Sequence, residues 1–566
     1  MMVCIIGLTL VQYRISYSDL QKDEPLKVTT WDAFGYYMYL PGTIIYDDVT
    51  ELEWLEQIER QYSVTGGNLY QANKHTNGNY VFKYLGGVAI MQSPFFLIGH
   101  AIAKLSRYPA DGFSAPYQYS IAFGAIFYCI LALFILRRIL LRYFDDRTTA
   151  ITLLFLTLAS NLIQYVSVDG GQSHSYIFPL YACILYTSIK WHESPRIRWA
   201  ALTGLIIGLA TICRPTELIM LFIPLLWGTH TKESKKQKWQ LVKDNKTHII
   251  FALVFGVIGL LPQLIYWKIA SGSFIFDVGS KWFFFNPWFR VLFGFTKGWF
   301  IYTPITIFFV LGFFFMKKYP FRRSVIFYCL FNIWIIIAWS DWQYGATYST
   351  RALVQSYPVF ALALASIIQR IERTKLRYVF YVVGLYLTFV NFFQIDQYNQ
   401  TVLHYRDMNR QYYSHIYLNE NPTPLDMSLL DTDEILNDEE GFKKNNIATI
   451  ETTLNINGRS DSSAIICTQD IGTDPKGWIK IKARIKMHQG YGSAYLHGKI
   501  ESESGFKESK IRIANPIANS LRANDYVFYM KIPQCSGSTV VNISLNAAAD
   551  FSGKLEFYQI DHLKPN

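Results

Sequence analysis

The chain has 566 residues, of which 51% are hydrophobic and 17% aromatic, and its formal net charge is +11. Before residue 397 the hydrophobic residues form repeated runs, and a run of roughly 18 or more apolar residues is long enough to span a bilayer. Most basic residues lie in short loops between these runs, where they report membrane orientation. The composition therefore predicts a polytopic membrane protein and gives no support for a nucleic-acid partner.

Twelve apolar runs follow one another along the chain. If all of them crossed the membrane, the basic loops 137–147 and 229–247 would lie outside, against the positive-inside bias. Treating 86–104, which contains Gln92, Pro94 and His100, as an interfacial or re-entrant helix moves every basic cluster to the cytoplasm. We therefore predict about 11 spanning helices. The twelve runs lie near 1–13, 86–104, 118–136, 149–167, 175–190, 199–213, 216–228, 248–268, 298–316, 324–339, 352–368 and 378–396.

The predicted topology divides the chain into three parts. Residues 1–396 form the transmembrane domain, whose first outer loop, 14–117, is too long to be a mere connector. The run 1–13 lacks a basic flank and a small-residue cleavage site, so we interpret it as a spanning helix and not as a signal peptide. Residues 397–447 are predicted to be a linker or surface segment. Everything after 396 is expected to be extracytoplasmic.

From residue 448 onward, short stretches alternate apolar and polar residues and are separated by turn sequences such as Asn457-Gly458. This pattern favours a β-sandwich over 448–566. Three of its aromatic side chains could stack on sugars, although aromatic residues in strands are more often part of a core: Trp478, Tyr491 and Tyr495. Cys467 and Cys535 could form a disulfide if this region is extracytoplasmic.

Unusual polar residues gather on the predicted outer face. Asp32 follows Trp31 in the first loop, and Asp169 lies in a tight turn between two spans. Acids, cations and aromatic residues that separate loops bring to one membrane face are what an active site at the bilayer surface requires. The other residues of this kind are Lys83, Tyr84, His174, Arg214, Lys297, Tyr302 and the segment Trp339 to Arg351.

Five features of this pattern resemble the GT-C class of membrane glycosyltransferases, which includes the protein O-mannosyltransferases and the lipid A aminoarabinose transferase. The resemblance covers roughly residues 1–396. The resemblance rests on the order of the five features along the chain and on their common side of the membrane. The features are an aspartate that opens the first outer loop (Asp32), a stretch before a juxtamembrane helix (Lys83-Tyr-Leu-Gly-Gly, then Ser93-Pro94), a second acid at the next outer turn (Asp169), an Arg-Pro pair that ends a span (Arg214-Pro215) and a late loop from Trp342 to Arg351.

The resemblance implies inverting transfer of a sugar from a polyprenyl-phosphate donor to an acceptor hydroxyl on a glycan, lipid or protein. Asp32 would be the base, and burial beside Trp31, Tyr36 and Tyr37 would raise its pKa toward a useful range. Asp169 would be a second catalytic acid. Cations would bind the donor phosphate: Lys83, Arg351 and Arg214. The acceptor or the sugar would contact His174, Tyr36, Tyr84, Trp342 and Tyr302.

Each of these residues also has an ordinary interpretation. Asp32 is one of ten acids between residues 14 and 85, and Asp169-Gly170-Gly171 is a common turn sequence. Lys83 and Arg351 could be anchors at helix ends. Several members of the class carry paired acids in the first loop, whereas Ala33 follows Asp32, so we predict no cofactor and no obligatory metal; a divalent ion stays possible.

Two other classes of membrane protein also have many spanning helices. An O-antigen polymerase or ligase would carry its main loop late in the chain, whereas here the main loop comes first. A transporter or flippase would place ionisable residues inside its spans, and the spans here look nearly free of charge. We therefore expect a glycosyltransferase in a bacterial inner or cell membrane. The sequence specifies neither the sugar nor the acceptor.

Overall fold

The structure is a computed structural model that describes residues 1–20, 26–450, 453–458, 463–489, 494–513, 523–549 and 551–566. The chain forms two compact units, Met1–Phe392 and Phe393–Asn566. The boundary between them lies a few residues before the predicted one at 396. Tyr491, one of the aromatic residues considered for sugar stacking, lies outside the described residues.

In its described residues the first unit is helical apart from a short antiparallel hairpin, β1 (Ala72–Lys74) with β2 (Tyr80–Phe82), and an isolated bridge between Trp282 and Trp339. Three 3-10 helices, Pro215–Leu221, Gly312–Phe315 and Arg351–Ser356, accompany its α-helices. The α-helices are α1 (Met2–Leu20), α2 (Asp32–Tyr37), α3 (Tyr39–Ile44), α4 (Leu55–Tyr62), α5 (Gly87–Lys104), α6 (Ala115–Leu140), α7 (Asp146–Leu158), α8 (Leu162–Ser167), α9 (Ser173–Glu193), α10 (Ile197–Cys213), α11 (Phe222–Leu226), α12 (Lys232–Asp244), α13 (Lys246–Ser271), α14 (Arg290–Phe293), α15 (Trp299–Tyr302), α16 (Thr306–Leu311), α17 (Arg322–Ala338), α18 (Tyr357–Glu372) and α19 (Leu376–Asn399).

Among the residues that the structure describes, four helices are both long and apolar enough to cross a membrane: Ala115–Leu140, Lys246–Ser271, Arg351–Glu372 and Leu376–Asn399. The count of about 11 spans stays a prediction. Some predicted spans are interrupted, and the run 298–316 is one of them. There α15 ends at Tyr302 because Pro304 has no N–H to donate and disfavours the helical conformation at Thr303.

Helices α10 and α13 pack against each other through glycines. A Cβ atom at Gly204 would lie 1.8 Å from the carbonyl oxygen of Ala252, and one at Gly208 would lie 2.2 Å from that of Gly256. Small residues four positions apart allow two helix backbones to approach closely. This contact fixes the position of the C-terminal end of α10, where Arg214 follows.

The first predicted outer loop contains a packed core of its own. Phe34 and Tyr37 of α2 are fully buried and join Trp54, Phe82 and Phe113 in one hydrophobic cluster. Edge-to-face ring contacts occur inside it, such as that between Tyr37 and Phe113 with 5.7 Å between ring centroids. Because α2 is held on its apolar face, its first residue, Asp32, has a fixed position.

The second unit is a β-sheet region, as predicted, preceded by α20 (Arg410–Ile416) and α21 (Pro424–Ser428). It contains two antiparallel sheets with strand orders β5-β10-β7-β8 and β3-β11-β6-β9, and β4 also pairs with β11. The first strand starts at Phe442, before the predicted boundary at 448. The strands are β3 (Phe442–Ile450), β4 (Leu454–Asn457), β5 (Ser463–Thr473), β6 (Trp478–Gln489), β7 (Ala494–Glu501), β8 (Phe506–Ile513), β9 (Asn524–Lys531), β10 (Ser538–Ala547) and β11 (Ser552–Pro565).

Side chains from both sheets share one core. Burial alternates along β7 with a period of two, and its buried residues Leu496 and Ile500 join Ile481 of the other sheet in the same hydrophobic cluster. Cys467 and Cys535 are free thiols. The disulfide considered from the sequence is therefore not formed in this structure.

Candidate active site

A cavity of about 680 Å³ lies in the first unit and is lined by side chains from segments far apart in sequence. Many of the predicted site residues line it. Asp32 and Tyr36 come from α2, Lys83 and Tyr84 from the loop after β2, Arg214 from the end of α10, and Arg351 from the 3-10 helix before α18.

Asp32 is held on both oxygens of its carboxylate. The hydroxyls of Tyr70 and Tyr84 donate to Oδ1 at 2.8 and 2.6 Å, and Arg351 forms an ion pair with Oδ2. Gly35 makes room for this arrangement, since a Cβ atom there would lie 2.2 Å from the ring of Tyr84. The carboxylate therefore has a fixed orientation at the cavity wall.

The backbone immediately before Asp32 is strained. Trp31 has a φ of 54°, which is rare for a bulky side chain. Its N–H donates to the carbonyl oxygen of Val64 at 2.9 Å, and its ring lies against Gly66. Such backbone strain is concentrated at functional sites, where the surrounding structure maintains it.

The electrostatics of Asp32 differ from the expectation. Burial raises the pKa of its carboxyl, but the charge of Arg351 and the hydrogen bonds from Tyr84, Arg351 and Tyr70 outweigh burial and lower the pKa to about 2. The predicted increase was wrong because the sequence showed the aromatic neighbours of Asp32 and not the cation beside it. Asp32 is thus an ionised carboxylate at any ordinary pH.

The three cationic side chains that line the cavity differ in their hydrogen-bond and ion-pair partners. Arg351 is paired with Asp32, and its Nη1 donates to Oε1 of Gln172 at 3.4 Å. Within the part of the chain that the structure describes, the side chains of Lys83 and Arg214 form no ion pair and no hydrogen bond. Positive charge with open donors on a cavity wall is suited to binding an anion such as a phosphate.

Four predicted residues do not line this cavity. Asp169 accepts a hydrogen bond from Nε2 of Gln164 at 3.2 Å in the turn after α8, and burial raises the pKa of its carboxyl despite that bond and the charges of Arg351 and Arg14. The remaining three are held elsewhere: His174 is buried against Gln355, the Tyr302 hydroxyl donates to the carbonyl oxygen of Phe295, and the ring of Trp342 lies under Arg290.

Glu217, a buried acid one turn after Arg214, also lines the cavity and was not predicted from the sequence. It lies within the predicted span 216–228, so the statement that the spans are nearly free of charge overlooked it. The available signal was an acid inside an apolar run, which by itself is a candidate functional residue. Tyr70 and Gln355 were also missed, and no sequence pattern distinguishes them.

Metal binding has no support from side-chain clustering. Among the described residues, no group of three or more His, Cys, Asp and Glu side chains is placed to hold a metal ion. Asp277 and Asp341 line the cavity as well, but both are exposed to solvent. Metal independence stays a prediction.

The comparisons with known proteins agree with the class expected from the sequence. Residues 115–267 match the family model described as dolichyl-phosphate-mannose-protein mannosyltransferase. This family belongs to the GT-C class of glycosyltransferases, so the resemblance is confirmed, on a match that covers about a quarter of the chain. No curated protein sequence matches the chain.

Three solved structures show a distant similarity of fold. The apo oligosaccharyltransferase from Archaeoglobus fulgidus is 11% identical with a TM-score of 0.43, over 74% of this chain and 58% of that one. ArnT from Cupriavidus metallidurans is 12% identical with a TM-score of 0.37, over 60% of each chain. Arabinosyltransferase EmbB from Mycobacterium smegmatis is 9% identical with a TM-score of 0.38, over 99% of this chain and 64% of that one. At these identities none of them assigns a role to a residue of this chain.

Proposed function

We propose that the protein is an inverting glycosyltransferase that takes a hexosyl or pentosyl group from a polyprenyl-phosphate donor. The observation that supports this best is the cavity itself, which is lined by an oriented carboxylate, Asp32, and by two cations whose donors are open, Lys83 and Arg214. A reaction that deprotonates a hydroxyl and releases a phosphate needs both kinds of group close together.

In the proposed reaction the acceptor oxygen attacks the anomeric carbon of the sugar from the face opposite the phosphate. The new carbon–oxygen bond forms as the bond from that carbon to the phosphate oxygen breaks. The phosphate leaves with the bonding electron pair, and the acceptor's proton passes to the carboxylate of Asp32. One displacement inverts the configuration at the anomeric carbon, and lipid phosphate is the second product.

Asp32 would act as a base whose position matters more than its intrinsic strength. A carboxylate with a pKa of about 2 does not deprotonate a free hydroxyl, but the acidity of that hydroxyl rises as its oxygen bonds to the anomeric carbon. Tyr70, Tyr84 and Arg351 hold the carboxylate in place for that moment. Pre-set geometry of this kind supplies much of the rate enhancement that enzymes achieve.

Lys83 and Arg214 would bind the phosphate and stabilise the charge that grows on it as the sugar departs. The exposed Lys83 supplies a point charge, whereas Arg214 offers a planar fork of donors that matches two phosphate oxygens. The cavity would face the outer side of a bacterial inner or cell membrane, because the basic loops are predicted to be cytoplasmic. The acceptor would be a hydroxyl of a glycan, lipid or protein, and the reaction would need no metal.

The decisive variant is Asp32→Asn, which keeps the shape of the side chain and removes its ability to accept the proton. We expect it to lower sugar transfer by about 10³-fold or more in a membrane assay with a labelled polyprenyl-phosphate sugar. Glu51→Gln is a matched control, because Glu51 is an exposed acid of the same loop. Full activity of Asp32→Asn in correctly inserted protein would rule out the mechanism.

A further inference from the structure

Glu217 is an acid buried in the helical first unit. It lies on the 3-10 helix Pro215–Leu221 with 1% of its surface exposed. In the described part of the chain no arginine or lysine lies within ion-pair distance of it, although the charge of Arg214 acts on it from one turn away. Its carboxylate is held by neutral donors only. Burying an acid that has no ion-pair partner costs on the order of several kcal/mol, so such a residue usually has a structural or functional role.

The donors to Glu217 come from two sides. Nε2 of Gln355 donates to Oε1 at 2.9 Å, and the hydroxyl of Tyr181 donates to Oε2. The Tyr328 hydroxyl donates in turn to that of Tyr181. Because Nε2 of Gln355 faces Glu217, its Oε1 faces His174, whose Nδ1–H donates to it. All of these groups are buried, and each has a defined partner.

The bond between Glu217 and Gln355 joins the two turns that carry the arginines of the cavity. The N–H of Glu217 donates to the carbonyl oxygen of Arg214 at 2.9 Å, so the acid lies one turn after that cation. Gln355 lies on the same 3-10 helix as Arg351, about one turn after it. One side-chain hydrogen bond therefore connects two backbone segments that are more than a hundred residues apart in the chain.

We infer that Glu217 is a positioning residue whose hydrogen bond to Gln355 sets the distance between Arg214, which would bind the lipid-linked phosphate, and Arg351, which holds the carboxylate of Asp32. This inference rests on the proposed function, since it deepens the description of the same cavity. The acid itself does not transfer a proton or touch the anomeric carbon. It acts through the two turns.

The expected size of the effect follows from geometry. A phosphate held by Lys83 and Arg214 would lose much of its stabilisation if Arg214 moved by about an ångström, and a displacement of that size costs about 10²-fold in rate. Arg351 is held by its ion pair with Asp32, whereas Arg214 lies in extended backbone before Pro215, with φ −151° and ψ 128°. The connection through Glu217 supplies the missing constraint.

The experiment compares Glu217→Leu with Glu217→Gln. The leucine variant loses the connection, whereas the glutamine variant keeps an oxygen that accepts from Gln355 and loses only the charge. We expect Glu217→Leu to weaken binding of a polyprenyl phosphate in detergent, and to raise KM for the sugar donor, by about 10- to 100-fold. Glu217→Gln should stay within about three-fold of wild type, as should the control Tyr328→Phe, which alters only the outer end of the network.

Stability is measured alongside, because a structural acid would also affect folding. If Glu217→Leu does not fold, the double variant with Glu217→Leu and Gln355→Leu replaces both partners by apolar groups and keeps the loss of the connection. The inference is overturned if Glu217→Gln is as defective as Glu217→Leu, or if the leucine variants bind polyprenyl phosphate as wild type does. If the variants differ in polyprenyl-phosphate binding as expected but the wild-type protein transfers no sugar, the proposed function fails and the positioning role stands.

Discussion

Arg512 of the β-sheet unit and Arg351 of the helical unit are both held by acids, but they differ in how many of their neighbouring donors are already matched. Arg512 in the β-sheet unit donates to Asp431 through Nε and Nη2 at 2.9 and 2.7 Å, and to Asp407 and His404 through Nη1 at 2.8 and 2.9 Å. Arg351 in the helical unit has one acidic partner, Asp32.

The difference lies in what remains unoccupied around each arginine. The donors of Arg512 are matched by two acids and a histidine, which leaves little capacity for an added anion. Beside Arg351 the cavity holds two more cations, Lys83 and Arg214, with open donors in the described part of the chain. An ion pair alone is therefore no reason to expect a binding site. Cations that line a cavity with open donors have the capacity to bind an anion.

The largest effect that would sharpen this contrast is expected from Arg214→Gln. Removing one preorganised donor to developing charge costs about 10²- to 10³-fold in rate, so kcat/KM for the sugar donor should fall by that factor. The matched control is Arg406→Gln, because Arg406 is an exposed arginine of the second unit. Equal kcat/KM values for the two variants would show that open donors in the cavity do not identify the site.

A stability effect of roughly 3 kcal/mol is expected from Arg512→Met, because it leaves the carboxylate of Asp431, 10% exposed, without its cation. Denaturant-dependent hydrogen exchange of the backbone amides of β8 in the full chain measures this loss. Arg484→Met is the comparison, since Arg484 and Asp525 form a pair that is about half exposed, and it should cost at most about 1 kcal/mol. A large loss from Arg484→Met would mean that burial does not separate these two pairs.

The smallest effect concerns pH. The pKa of Asp32 lies at about 2, below its ordinary value of 3.8, so its ionised form contributes about 2 kcal/mol to folding stability. That contribution is complete above pH 4 or so and is lost as the pH falls toward about 2. Accordingly, kcat/KM should show no acid limb from Asp32 above about pH 4.

Arg351→Met tests the origin of that low pKa. The variant keeps the burial that raises the pKa of Asp32 and removes the charge that lowers it, so an acid limb of kcat/KM should move upward into a measurable range. A pH profile of unchanged shape in Arg351→Met would show that the cation does not control Asp32. Residual activity is sufficient for this measurement, because only the shape of the profile is compared.

Much of the fold could be predicted because hydrophobic periodicity is a local property. The apolar run 118–136 predicts α6, and the alternation after residue 448 predicts strands that the structure contains. The positions at which helices end inside an apolar run were harder to predict. The run 298–316 looks continuous in composition, yet Pro304 divides it, and only the packing of the neighbouring segments decides whether a proline kinks a helix or ends it.

Part of the candidate site could also be predicted. Asp32, Lys83 and Arg214 stand out by residue type and by their predicted common side of the membrane, and they line one cavity. Sidedness does not predict convergence, however. Asp169 is predicted on the same side and is not among the residues that line the cavity; its carboxylate accepts a hydrogen bond from Gln164 of the preceding helix, α8.

The amino-acid sequence alone determined the resemblance to the GT-C class, the division into a helical and a β-sheet part, and the acids and cations worth testing, since these depend on composition and on short-range pattern. The tertiary structure decided which of those residues meet. It paired Asp32 with Arg351 across more than three hundred residues of chain and thereby reversed the expected direction of the pKa of Asp32. It also brought Glu217 into the cavity wall. Electrostatic interactions depend on distance in space, and distance in space follows from packing.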